Sequence, residues 1–447
     1  MSLRTNLRTY LGLESIDVDI NIGQAGSQSE LDHPMVSAVA SSGAMTPEAA
    51  EVEVQESAAE VEVSATEVEE IEEDVSALES YYNILERSLD NNGINTVSAE
   101  MLNVGLDKIL TKYNVKATEI VPALEDYSNN AYSTTRVSME KVGEAINSMK
   151  TAAVETLKKL WEAIVNFFRN IAIKLVPAVK MRLNMIKKHA ASYKPTGGVK
   201  IKLTGKTADV ISGIKGSIKG EIEQFSKESQ STAAQLQILS SMLEGSIGKD
   251  LSVDKAEAIL TKMASSGIMS GSSNRDEQAT KVYTKNTYLG NYIHRVVVPK
   301  VPDYYISPPS IKFGETNPDK DPVEEYEIDS LKQSDINVIV DAALILLNNV
   351  EQYSKHLSTR SKLTNWVKSL RKDEQVKDHN KKVTACIKAV GLGYKSLTEY
   401  ILVVVKAMTE VCAKSVKATS NKEGDDKTTP TDNKTNKPEP LALDAPK

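Results

Sequence analysis

The sequence predicts a mainly α-helical protein with an elongated helical-bundle body and a small mixed α/β segment in its middle. A disordered acidic leader precedes the body, and a disordered tail follows it. Three observations support this prediction. Apolar residues recur at helical spacing on both sides of the middle segment, β-branched residues and prolines cluster inside it, and both ends have compositions typical of unfolded chain. With 447 residues and 40% apolar content, the chain is long enough to bury a substantial core.

The leader comprises residues 1–79 and contains 18 Asp or Glu against 2 Lys or Arg, a net charge of −16. The whole chain has 61 acidic and 54 basic residues, so 43 acids and 52 bases remain for residues 80–447, a net charge of +9. Residues 1–16 predict a short helix. We expect residues 17–75 to be disordered, because low hydrophobicity and self-repelling charge cannot offset the entropy of the chain.

The first part of the body, residues 80–190, predicts a helical domain. Turn-forming residues predict breaks at 90–96 and near 121–124. Pro177 predicts a kink or an end in the helix that contains it. One helix face is predicted from apolar residues at alternating spacings of three and four: Val154, Leu157, Trp161, Ile164, Phe168, Ile171 and Leu175.

The mixed α/β segment is predicted over residues 191–327. The alternation in KPTGGVKIKLTGK, residues 194–206, predicts a short β-hairpin. Residues 215–266 predict helix, residues 281–313 predict short strands, and the acidic residues 317–327 predict a linker.

Residues 328–420 predict a second helical domain, and residues 421–447 predict a disordered tail. The clearest pattern in the chain runs from Val383 to Val411, where apolar residues hold a heptad spacing and predict a helix packed against other helices. Gly391 and Gly393 lie inside this pattern, which favours close helix packing over phosphate binding.

Residue patterns of known chemistry are missing from the sequence. It has no phosphate-binding loop, nucleophile elbow or calcium loop. The five histidines are scattered, and Cys386 and Cys412 fit no metal-site spacing. We therefore predict no enzyme, no catalytic, cofactor-binding or metal-binding residue, and no small-molecule substrate. Two cysteines also favour synthesis in a reducing cytoplasm.

Two clusters of basic residues in the body predict contacts with a polyanion such as the DNA phosphate backbone. Without a recognition motif, we expect such contacts to be independent of base sequence. The residues predicted to touch phosphates are Lys158, Lys159, Lys180, Arg182, Lys187 and Lys188 in the first cluster, and Lys368, Arg371, Lys372, Lys381 and Lys382 in the second. The alternative is that these lysines only keep the helices soluble.

An acidic leader that ends near Glu79 and a basic helical body after it resemble the internal head proteins of large phiKZ-like tailed bacteriophages. The start MSLRTNLRTYLGLES is similar to a head-targeting leader of that family, and LKKLWEAIVNFFRNI, residues 157–171, is similar to a helix common in it. In that family a prohead protease cuts after Glu when a small residue lies two positions before it. The resemblance thus implies cleavage at Ala77-Leu78-Glu79, before Ser80. Further matches in the leader end at Glu14, Glu51, Glu60 and Glu67.

The resemblance further implies a structural virion protein inside the capsid, made in the host bacterial cytoplasm and packaged with the genome. The expected partners are double-stranded DNA, the prohead protease, and other capsid or inner-head proteins. Whether the protein is ejected with the DNA is left open by the sequence. Removal of the leader would change the net charge by +16 and favour binding to DNA through counterion release.

Three other functions fit parts of the sequence. One is a coiled-coil adaptor with an acidic tail, which would not need a protease site where the charge changes. Residues 154–190 have the pattern of an amphipathic helix at an anionic membrane surface. An unrecognised enzyme delivered to the host is the third, and it would require a deep polar pocket.

Overall fold

The structure is a computed structural model that describes residues 47–425 except for 114, 247–252, 278, 288, 301–307, 360–366 and 368–377. The described chain is mainly helical, with strands confined to its middle. Its helices are α1 (Pro47–Leu89), α2 (Thr96–Leu110), α3 (Leu124–Asn129), α4 (Ala131–Asn170), α5 (Val176–Tyr193), α6 (Gly205–Ser212), α7 (Ile218–Ser246), α8 (Val253–Ala264), α9 (Gln333–Thr359) and α10 (Asp378–Asp425). Its strands are β1 (Lys200–Thr204), β2 (Ser273–Asp276), β3 (Thr280–Asn286), β4 (Tyr292–Pro299), β5 (Ser310–Thr316) and β6 (Glu325–Asp329).

The first unexpected feature is α1, a helix of 43 residues that covers most of the acidic leader. The prediction of disorder is therefore wrong for residues 47–75. The helix ends at a turn in which Asn92 and Gly93 have φ of 64° and 92°, as the break predicted at 90–96 requires. The predicted short helix at 1–16 and the predicted disorder of residues 17–46 lie outside the described residues.

Helix α4 is long and amphipathic, and every residue of the face predicted between Val154 and Leu175 is buried. A π-helical turn, Ile171–Leu175, joins it to α5. Pro177 lies at the start of α5, where its missing N–H group is tolerated. Because this face is buried in the core, it is not available to a membrane surface in the folded protein.

Helix α10 confirms the heptad prediction over its described side chains. It packs against α9, α7, α6 and strand β5. The predicted tail at 421–447 begins within this helix, which continues to Asp425. The predicted apolar residues that are fully or almost fully buried are Ile387, Val390, Tyr394, Leu397, Ile401, Val404, Met408 and Val411.

Glycines allow α10 to approach its neighbours, as predicted. A Cβ atom added at Gly391 would lie 3.0 Å from Ile164 Cδ1, and one at Gly393 would lie 2.8 Å from Ile311 Cγ2. These distances leave little or no space for a side chain.

The mixed segment contains two antiparallel sheets. Strands β2 to β5 form a four-stranded meander, which confirms the strands predicted between 281 and 313. Strand β1 pairs with β6, with Lys200 opposite Asp329. The predicted hairpin at 194–206 is therefore wrong, because its strand pairs with a segment more than 100 residues later, and the predicted linker at 317–327 contains the start of β6.

Buried apolar residues form two clusters, and α1 contributes to both. The larger cluster joins the first half of α1 to residues as distant as Val416. The smaller one joins the second half of α1 to α2, α3 and the first half of α4. In the described part of the chain, no helix is long and apolar enough to cross a membrane.

Candidate functional site

The candidate site is the interface between α1 and the basic helices beneath it. An apolar stripe on α1 docks the helix, and α4 is its main partner. The stripe consists mostly of small side chains at spacings of three and four residues, typical of one helix face. Its buried members are Ala50, Val54, Val61, Ala65, Val68, Ile71, Val75, Leu78 and Leu85.

Three lysines of α10 pair with carboxylates of α1. Glu51 lies 2.5 Å from Lys406, Glu62 lies 2.7 Å from Lys395, and Glu69 lies 3.2 Å from Lys388. A fourth carboxylate, Glu72, lies 3.6 Å from Lys388.

The order of these three pairs fixes the direction of the two helices. As the residue numbers of the carboxylates in α1 rise from 51 to 69, those of their lysine partners in α10 fall from 406 to 388. The two helices therefore run antiparallel. The intervals are eleven and then seven residues in both helices. Both are close to whole numbers of helical turns, so the paired groups share one face along each helix.

A second set of contacts joins α1 to α4 and to the π-helical turn in the same antiparallel sense. Glu79 lies 2.6 Å from Lys150 of α4. Asn170 donates a hydrogen bond of 2.6 Å to Ser57, and Lys174 of the π-helical turn pairs with Glu53. Lysines on both flanks of the apolar stripe thus pair with carboxylates of the acidic helix.

Two of these lysines are nearly inaccessible to solvent. The side chains of Lys388 and Lys395 are 9% and 4% exposed. Lys395 is also paired with Glu399 at 2.9 Å and lies 5.8 Å from the centre of the Phe167 ring. A buried cation is costly without a partner, so these lysines depend on the carboxylates that face them.

Burial also affects the acidic partners. It raises the pKa of Glu72 above its usual range, and the nearby Lys388 opposes this shift. Burial likewise raises the pKa of Glu399 against the opposing effect of Lys395.

Asp74 anchors the second half of α1 in the smaller cluster. It is 5% exposed and accepts hydrogen bonds from Lys112 at 2.7 Å and from the Tyr113 hydroxyl at 2.8 Å. Both donors follow α2, so this carboxylate joins α1 to a different element from the other pairs.

The predicted DNA contacts lie elsewhere, and several are paired within the body. Lys158 pairs with Glu155 of its own helix, Lys180 with Glu351, and Lys187 with Asp341. The other members of the first cluster, Lys159, Arg182 and Lys188, are exposed. Lys368, Arg371 and Lys372 lie outside the described residues, as do the side chains of Lys381 and Lys382 on α10.

The predicted cleavage site lies inside α1. Leu78 is fully buried, Glu79 pairs with Lys150, and Ala77 and Ser80 belong to the same helix. A protease could bind this segment in extended form only after the helix opens locally. Glu14 lies outside the described residues.

The sequence does contain a pattern that indicates the docked helix, although neighbouring residues obscure it. Ala50, Val54, Val61, Val68 and Val75 have helical spacing, but they are interspersed with glutamates and appear as low-complexity chain. The partners Lys388, Lys395 and Lys406 are more than 300 residues away, so no local pattern identifies them.

Other titratable side chains, one histidine and both cysteines, are buried in the core. His294 is 2% exposed, its Nδ1 atom accepts a hydrogen bond from the Gly314 N–H group, and burial lowers its pKa to about 3. Burial raises the pKa of the Cys386 and Cys412 thiols to about 12. Among the described residues, no group of three or more His, Cys, Asp or Glu side chains is arranged to hold a metal ion.

Comparison with known protein families gives a match that covers most of the chain. Residues 47–418 match the phiKZ-like phage internal head proteins. The chain belongs to this family. The match includes α1 and the lysine-bearing helices, and membership places the protein inside the phage capsid. No curated protein and no solved structure matches the chain.

Proposed function

We propose that this internal head protein is a non-enzymatic structural component packaged with the genome, and that its acidic N-terminal segment controls contact with DNA. The observation that carries the proposal is the pairing of α1 carboxylates with lysines of α4, the π-helical turn and α10. While α1 is docked, these lysines are paired with its carboxylates, and Lys388 and Lys395 are also shielded from solvent.

Proteolytic removal of residues 1–79 is the proposed control step. It would take away 18 acidic residues and 2 basic ones, leaving a body with a net charge of +9. A protein with this charge, enclosed with DNA, gains affinity by releasing counterions from the phosphates that it contacts. The proposed partners are packaged double-stranded DNA, the prohead protease, and other capsid or inner-head proteins.

We place the proposed cut after Glu79, which makes Ser80 the mature N-terminus. Because this peptide bond lies within α1 and Leu78 is buried, cutting must occur before the helix docks or while it is open. In this proposal the protein is made in the host cytoplasm and is processed in the assembling head.

Mass spectrometry of the protein from mature particles tests the processing step. We expect a mature N-terminus at Ser80 and no peptides from residues 15–79. Abundant leader peptides in mature particles would contradict this step.

DNA binding tests the purpose of the step. Full-length protein and protein extracted from particles are titrated with a duplex of arbitrary sequence by fluorescence anisotropy at several salt concentrations. We expect the extracted form to bind without base preference, with a log–log salt slope of about −4 to −8 if about five to nine phosphates are contacted. Equal binding by both forms would contradict masking, and no binding by either would contradict the proposed function.

A further inference from the structure

The paired lysines of the body fall into two groups according to the origin of their partners. Lys158, Lys180 and Lys187 pair with carboxylates of the body and stay neutralised whatever α1 does. The second group consists of lysines that pair with α1, namely Lys112, Lys150, Lys174, Lys388, Lys395 and Lys406. Departure of α1 would therefore change the electrostatic environment of the second group.

We infer that the groove under α1 is the phosphate-binding site for duplex DNA, with Lys388, Lys395 and Lys406 as its main contacts. This inference rests on the proposed function and assigns that function to residues outside the clusters predicted from sequence. In the docked state the α1 carboxylates occupy the positions that phosphates would take.

The spacing of the three lysines suits an extended polyanion. At about 1.5 Å of rise per residue, their intervals place them about 10.5 Å and about 16.5 Å apart along α10. They lie on one face, so they form a straight track about 27 Å long. One strand of duplex DNA carries a phosphate about every 3.4 Å of axis, so a track of this length spans about eight nucleotides.

The loss of carboxylate partners explains why the site would attract an anion once α1 leaves. Lys388 would lose both of its α1 carboxylates, and Lys395 would keep Glu399 but lose Glu62. Opening also exposes the apolar faces that α1 covers, so the open form is the less stable one without a ligand. A polyanion that binds this form and not the docked one shifts the population toward it.

The test uses two full-length variants with equal net charge. The inner variant carries Glu62→Lys, Glu69→Lys and Glu72→Lys, which repel Lys388 and Lys395. The outer variant carries Glu60→Lys, Glu67→Lys and Glu73→Lys, at exposed positions of the same helix. Hydrogen exchange of residues 50–78 reports whether α1 has opened, and anisotropy with a labelled duplex reports binding.

We expect the inner variant to lose protection in α1 and to bind duplex at least tenfold more tightly than the outer variant at the same salt concentration. If α1 stays protected in the inner variant, Val61→Glu with Val68→Glu is used to open it through its apolar stripe. Tight binding without loss of protection, or loss of protection without binding, overturns the inference.

A second set of substitutions locates the lysines that touch phosphates. Lys388→Gln, Lys395→Gln and Lys406→Gln, added to the opened chain, should reduce the magnitude of the salt slope by about three, because each phosphate that is no longer neutralised lowers it by about one. The matched set Lys158→Gln, Lys180→Gln and Lys187→Gln should change it by less than about one. An unchanged slope in the groove variant overturns the inference but leaves the proposed function standing, whereas failure of every form to bind duplex at low salt overturns both.

Discussion

Helices α1 and α10 are the two longest of the described chain, and both present an apolar stripe to the core. The stripe of α10 combines Val with larger Ile, Leu, Met and Tyr side chains, and its heptad spacing is evident in the sequence. The stripe of α1 is mostly Ala and Val among thirteen acidic residues between Pro47 and Glu79. The spacing is helical in both helices and stricter in α10, and the chemistry that makes each of them stable is different.

The difference shows that charge density alone does not decide whether a segment is disordered. An isolated segment with the composition of α1 would repel itself and remain unfolded. In the folded chain, lysines on both flanks neutralise much of that charge, and the small side chains bury a continuous stripe. The folding of α1 is thus conditional on the body, whereas α10 forms part of the body core.

The largest expected effect tests whether α1 is part of the core. Leu78→Ala on α1 and Leu397→Ala on α10 should each lower the free energy of unfolding by about 2–5 kcal/mol, because both side chains are fully buried. Urea denaturation of the full-length protein measures the change. Val63→Ala on the exposed side of α1 is the control and should stay within about 0.5 kcal/mol. An effect of Leu78→Ala no larger than that of the control would show that α1 is not docked.

The next effect concerns the ion pairs. Lys395→Met leaves Glu62 and Glu399 without their cation and should lower the free energy of unfolding by about 1–3 kcal/mol. Adding Glu399→Gln should recover part of this loss, and the double-mutant cycle isolates the coupling. Lys200→Met, which removes a pair between two exposed side chains, should cost less than about 1 kcal/mol. Equal costs at the two lysines would mean that burial of Lys395 has no energetic consequence.

The third effect concerns glycines. One on α10 packs closely against a strand, and one on α7 has open space around it. Gly393→Ala on α10 should cost about 1–3 kcal/mol, because its Cβ atom would overlap Ile311 on strand β5. Gly245→Ala on α7 has nothing within 4 Å of its Cβ atom and should stabilise the protein by about 0.5–1 kcal/mol. Thermal denaturation of the two variants should therefore shift in opposite directions. Helix α1 contains no glycine and relies on small side chains instead.

The smallest effect is in the pH dependence. Burial raises the folded-state pKa of Glu72 and Glu399, so their contribution to stability is fully present below the ordinary glutamate pKa and is lost as pH rises through the raised value. Glu72→Gln should therefore gain stability relative to the parent protein as pH increases from about 4.5 toward neutrality. The exposed Glu73→Gln serves as the control and should show no such trend. Denaturation curves across this pH range check the sign, and a trend in the opposite direction would contradict it.

The sequence is sufficient for the elements whose stability is local or strongly periodic. It correctly predicts the face from Val154 to Leu175, the turn at Gly93 and the heptads of α10. It is not sufficient where distant segments determine the structure. Local alternation places strand β1 in a hairpin although its partner is β6, and composition predicts disorder for the acidic leader although its partners are on α4 and α10.

Local sequence patterns are likewise insufficient to predict the candidate site. Local charge density predicts the basic clusters around Lys187 and Lys381, whereas the lysines that pair with α1 are spread from Lys112 to Lys406. Their common role depends on a helix docked between α4 and α10. Charge density along the chain does not contain that information.

Hydrogen exchange of the full-length protein tests the central claim most directly, because it reports on the backbone of α1 in the presence of all its partners. We expect amides of residues 50–78 to exchange slowly, within about tenfold of those of residues 387–411, and to exchange faster in the Glu62→Lys, Glu69→Lys, Glu72→Lys variant. If residues 50–78 exchange at the rate of an unfolded peptide in the unmodified protein, the acidic segment is not a docked helix. The lysine groove would then be open from the start.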